Sequence, residues 1–119
     1  MAVASKLIGT NVTLFFTMGA CQALARKTTS LPGWSEVPIE GTSLLAVDYD
    51  QNLKRNKVAR FEELITSCAS LEVRFIVCEM GLRALNLQHG SLRDDVSIEE
   101  GGVVTFINDG SKDGSIIFI

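Results

Sequence analysis

The sequence predicts an α/β fold: one domain over residues 1–119, with a mainly parallel sheet flanked by helices in three layers. Three observations predict it. Val12–Thr17 (VTLFFT) is rich in β-branched and aromatic residues, the composition of a strand. Val73–Leu87 (VRFIVCEMGLRALNL) is a compact apolar run, a glycine-containing turn and then apolar residues at helical spacing. Ser115–Ile119 (SIIFI) is uniformly apolar, as a strand covered on both faces must be, and the 46% apolar content with mean hydropathy +0.24 agrees with such covered strands.

In chain order, Ala2–Ile8 reads as the tail of a helix closed by Gly9. Val12–Thr17 is the first strand. Gly19 marks the turn after it. Ala20–Arg26 reads as helical, with Arg26 and Lys27 suited to the negative end of its dipole. Thr28–Gly41 (TTSLPGWSEVPIEG) holds both prolines and the only tryptophan, and predicts a long irregular loop. Such a loop is often a lid or a contact surface. A large aromatic is more often buried, so the competing expectation is a passive loop with Trp34 packed on the core. Ser43–Val47 fits either a helix or a strand.

Val58–Leu71 is the clearest helix: Phe61, Leu64, Ile65, Cys68 and Leu71 fall on one stripe. Asn56 is its expected cap, Arg60, Glu62, Glu63 and Thr66 its outward face, and Cys68 a small buried hydrophobe. Gln88–Asp95 is polar. Val96–Ile98 fits a short strand. On propensity alone Val103–Ile107 favours a strand, and Asp109–Gly114 a turn.

Composition narrows the function classes. Net charge is −3, and the densest basic stretch, Lys54–Arg60, is short, so the basic footprint of a nucleic-acid binder is missing. No run reaches the roughly 18 apolar residues of a membrane span. Lys6 followed by Leu14–Ala25 has the outline of a signal peptide, but Asn11, Thr13 and Thr17 interrupt it. The three cysteines, 21, 68 and 78, are widely spaced without a CxxC pair, and His89 is the only histidine. That pattern argues against a zinc site or a disulfide scaffold and for a reducing, cytoplasmic protein. Neither a P-loop nor GxGxxG occurs, so no cofactor is implied.

The chemistry-bearing residue is Cys78, at the carboxyl end of the predicted central strand, the edge where open α/β sheets bind ligands. Amides at the start of the next helix can stabilise a thiolate there, whereas the neighbouring carboxylate of Glu79 works against one. The plainer alternative is a packed cysteine at a strand end. Cys21 follows the Gly19 turn of the neighbouring strand, so it can face the same edge, as a resolving thiol or as packing. A two-cysteine redox cycle needs Cα atoms within about 7 Å. His89 fits either an acid–base partner or a solvated loop residue, and Gly19 and Gly81 serve turn geometry.

Three stretches together resemble the DsrE/DsrF-like superfamily, whose members include sulfur-relay proteins. NVTLFFTMGACQALARK resembles the family's strand, glycine turn and basic-ended helix. VRFIVCEMGLRALNL resembles its strand, cysteine and following helix, with the triplet Cys78–Glu79–Met80. GGVVTFIN with SIIFI resembles its last helix and final strand. The resemblance implies a helix over GGVVTFIN, against local propensity. It implies a sulfur carrier with Cys78 as the reactive thiol and Glu79, Met80, Gly19 and Cys21 as supporting residues. It also implies a homo-oligomer, trimer or hexamer, with a protein sulfur donor and acceptor. Similar proteins begin with a strand and a βα loop before the first helix. Here Met1 already lies in that helix, so the family's N-terminal strand, central and adjacent to Val12–Thr17, is expected to be missing.

Overall fold

The computed structural model describes residues 1–26, 32–87 and 89–117, with the side chains of residues 89 and 113 left out. The elements in order are α1 (Ala2–Leu7), β1 (Thr13–Phe16), a 3-10 helix (Met18–Leu24), α2 (Ala46–Arg55), α3 (Phe61–Ser70), β2 (Arg74–Cys78), α4 (Glu79–Ala84), a 3-10 turn (His89–Ser91), β3 (Ile98–Gly101) and α5 (Val103–Asp113).

The three strands form one parallel sheet in the order β1-β2-β3. Phe16 lies opposite Val77, and Cys78 opposite Gly101. Side chains alternate across a sheet, so each strand supplies both faces. Leu14, Phe16, Phe75, Val77 and Ile98 turn to one face, where α1, α3, α4 and the 3-10 helix close the main core around Leu24, Ile65 and Leu82. Phe15 and Ile76 belong to the other face, which α5 crosses with Phe106 stacked on Phe15, ring centroids 4.6 Å apart. Helices on both sides of a parallel sheet give the expected three-layer α/β domain. Among the described residues β1 has no strand on its outer edge.

Several elements stand where their residues predict. Gly9, at φ +86, ends α1 in the left-handed conformation that costs glycine least. Trp34 is buried, edge-on to Phe61 at 5.3 Å, and its indole N–H donates to Glu62 Oε1 at 2.8 Å. The rest of that loop is ordered by turns and by a bridge between Pro38 and Leu45; residues 27–31 lie outside the described residues. Leu45 therefore ends an extended segment and Ala46 begins a helix, which resolves the alternatives at 43–47.

Other expectations are corrected. The helical segment expected at Ala20–Arg26 is a 3-10 helix that lies two residues earlier, at Met18–Leu24. Helix α2 had no apolar stripe to announce it; its support is polar, with the Leu45 N–H donating to Asp48 Oδ2 at 3.0 Å and Lys54 and Arg55 in the last turn. Asn56 ends α2 and does not cap α3. The α3 start is held instead by the Arg60 N–H donating to Glu63 and the Phe61 N–H donating to Asp50 Oδ1 at 3.0 Å. Leu64 is exposed, and Glu62, expected outside, is half-buried beneath Trp34 and Arg93. The third strand begins at Ile98, two residues later than Val96. The helix that the family resemblance implied over GGVVTFIN begins at Val103, since Gly101 still belongs to β3, and it runs through the turn expected from Asp109 as far as Asp113. Residues 115–117 are exposed and outside any strand, and the remainder of the predicted final strand lies outside the described residues.

Candidate functional site

Cys78 is the last residue of β2 and the residue from which α4 begins. Phe75, Ile76 and Val77 bury the strand from both sides and fix it between β1 and β3. Cys78 is 3% exposed. Strand alternation places its side chain with Ile76, on the α5 side, opposite to Val77. Its neighbour in β3 is Gly101, which presents no side chain beside it.

Cys21 approaches the same junction from the other face. It is fully buried in the core that holds Val77, and its thiol donates weakly to the Phe16 carbonyl at 3.5 Å. Burial pushes the Cys21 thiol up from its ordinary value, and negative charge on Cys78 pushes it the same way; the Cys78 backbone amide, facing its sulfur, partly offsets both. Gly81, in the first turn of α4, lets these parts meet. A Cβ there would sit 2.6 Å from Cys21 Sγ and 2.7 Å from the Met18 backbone nitrogen.

The predicted supporting residues separate into two groups. Of them Cys21 meets Cys78 at the β2–α4 junction, beside Gly81, which was expected only to serve the turn. Glu79 and Met80 lie on the solvent side of the first turn of α4, Met80 being 73% exposed. Glu79 is thus on the surface. The turn after β1 does not depend on Gly19: the left-handed residue is Met18, at φ +47, and a Cβ on Gly19 would meet nothing within 4 Å. The side chain of His89 lies outside the described residues. Trp34 docks on α3, across the sheet from the Cys78 side chain, so Trp34 itself does not cover that thiol.

Two clefts occur elsewhere. One, of about 290 Å³, lies at the amino end of the sheet and is lined by Arg74, Phe75 and Glu99 among others. The second, of about 210 Å³, is lined by Arg26, Pro32, Arg93 and Asp95 among others. Neither is lined by Cys78. Among the described residues no three His, Cys, Asp or Glu side chains group as metal ligands.

The residues alone did not single out α5 and the glycine pair Gly101–Gly102 as part of this site. The adjacent glycines were the available signal, and only the β2–β3 register shows that the first of them faces Cys78. Arg93 was equally hidden in a polar stretch. It is buried and holds Glu62 and Asp95 together, donating to each through two nitrogens at 2.6–3.0 Å.

No described helix is long and apolar enough to cross a membrane. A search of curated proteins finds no match to the chain. A family model described as the DsrE/DsrF/DrsH-like family matches residues 30–116, which is well over half of the chain and includes Cys78.

Proposed function

This chain belongs to the DsrE/DsrF/DrsH-like family, and on that premise we propose that it is a sulfur carrier that holds a persulfide on Cys78. The single observation that supports this most is the position of Cys78 inside the matched region, at the strand end from which α4 starts. Thiol chemistry of this kind needs the thiolate, which a persulfide donor can then load. In the loading step the Cys78 thiolate attacks the outer sulfur of a donor persulfide. The donor's S–S bond breaks, the donor thiolate leaves, and Cys78 carries the sulfane sulfur. In the unloading step an acceptor thiolate attacks that outer sulfur and the Cys78 thiolate is the leaving group.

The partners in this reading are a protein donor and a protein acceptor, and the chain works as a cytoplasmic homo-oligomer, trimer or hexamer.

The test is the intact mass of the folded protein before and after a persulfide donor, with the modified residue mapped. One or more added sulfur atoms on Cys78, removed by reductant and absent in Cys78→Ser, is the expected result. Uptake by Cys78→Ser equal to the wild type would sink the reading.

A second reading is a non-catalytic binding or assembly module whose Cys78 is structural. The burial of Cys78, away from both clefts, favours it. Folded protein that resists both persulfide loading and thiol alkylation at Cys78 is its expected signature.

A further inference from the structure

A thiol that exchanges sulfur with other proteins must be reachable, yet Cys78 is 3% exposed. We propose that α5 is a lid, hinged at Gly101–Gly102, whose outward swing uncovers the Cys78 thiol to sulfur donors and acceptors. The inference rests on Cys78 being the exchanging thiol, and three observations carry it.

The first is position. Cys78 lies on the sheet face that α5 crosses, and its register partner is Gly101, two residues before α5 begins. Motion at the start of α5 therefore acts directly beside the thiol.

The second is the hinge. Two consecutive glycines give the backbone more freedom than any other pair. Gly102 has no neighbour within 4 Å of where a Cβ would be, so the chain has room to turn there.

The third is weak attachment. None of the described side chains of α5 is buried, in contrast to α3 and α4 on the opposite face, which bury Ile65, Cys68 and Leu82. Among the described residues the helix is held by the Phe106–Phe15 stack and by an exposed ion pair, Arg74 to Asp109 at 3.4 Å. Segments with few buried apolar contacts and solvent-exposed polar ones open at the low end of a protein's local stabilities. Opening α5 leaves the core on the other face intact.

The experiment is time-resolved alkylation of the full chain by iodoacetamide, with each cysteine quantified by peptide mass. Cys21 and Cys68, buried in the core across the sheet, report any global unfolding. Phe106→Ala removes the stack and is expected to speed alkylation of Cys78 about threefold to tenfold, the range that loss of an aromatic pair implies. Cys21 and Cys68 should keep their wild-type rates. Gly102→Ala stiffens the hinge in open space and is expected to slow Cys78 about twofold. A Cys78 rate indifferent to both substitutions, or one that rises only in step with Cys21 and Cys68, overturns the lid. Alkylation needs no sulfur donor. The expected pattern together with failure to load a persulfide would sink the carrier reading and leave the lid standing.

Discussion

Cys21 and Cys78 press on the same β2–α4 junction from opposite faces of the sheet, with the backbone of that junction between them. Proximity alone would suggest a redox pair, but a disulfide also needs the two Cα–Cβ directions to converge. Val77 points into the core with Cys21, so the next residue of the strand points away from it. The expected outcome of mild oxidation is therefore no intramolecular Cys21–Cys78 bond. Non-reducing peptide mapping after diamide treatment checks this. Persulfide loading of Cys21→Ala should still occur on Cys78, because the attacking thiol is retained. A mapped Cys21–Cys78 disulfide in folded protein would remove the argument.

Gly81 is the tightest point of the same junction. A methyl group there has to displace a buried sulfur and a backbone nitrogen, 2.6 and 2.7 Å away, and neither is the free end of a flexible chain. Gly81→Ala should lower unfolding stability by about 1–3 kcal/mol through overpacking. The check is a urea titration. Gly19→Ala, whose added methyl would meet nothing within 4 Å, is the matched control and should leave the midpoint nearly unchanged.

The buried thiols make stability fall at alkaline pH. Burial raises Cys21 and Cys68 above the ordinary thiol value of 9.0. Above pH 9 the unfolded chain releases these protons while the folded chain still holds them. Proton binding is then greater in the native state, and stability declines as pH rises. Their contribution is whole below pH 9 and is lost as pH climbs through the raised folded values. Denaturant midpoints measured from pH 8 to 11 should drop more steeply for the wild type than for a Cys21→Ala, Cys68→Ala variant. Parallel curves would show that the thiols titrate alike in the folded and unfolded states and that burial does not shift them.

How far this fold is legible in the residues depends on where each element takes its stability. β1 and β2 carry uninterrupted apolar runs, and α3 carries a stripe, so they can be read directly. Helix α2 is held by polar contacts at its ends and by Asp50 bonding across to Arg60 and the Phe61 amide, long-range partners that no local pattern announces. α5 has strand-like propensity at Val103–Ile107, and tertiary placement against Phe15 overrides it, in line with the family resemblance. For the site, the strand-end thiol was visible from spacing. Its burial, its separation from Cys21 and its pairing with Gly101 depend on strand register, which follows from the assembled sheet.

Two arginines make similar bonds in different surroundings, and burial should decide what each contributes. Arg93 donates to Glu62 and Asp95 with its side chain 6% exposed, and the Glu62 carboxylate also receives the Trp34 indole N–H. Arg74 donates to Glu99 at 2.6 Å with its side chain 44% exposed and the carboxylate 52% exposed. In water the second pair competes with solvent and salt, so it should add little. Removing Arg93 takes a buried cation from between Glu62 and Asp95 and opens the link between α3 and the 92–95 segment. The carboxylates are partly in water, 34% and 56% exposed, so Arg93→Gln is expected to cost about 1–2 kcal/mol, below the figure for a fully buried pair. Arg74→Gln should leave the global unfolding midpoint within error, and raising salt should not change the ranking. Equilibrium unfolding of both variants at low and high ionic strength is the check. Equal losses for the two would mean that burial is not what separates them.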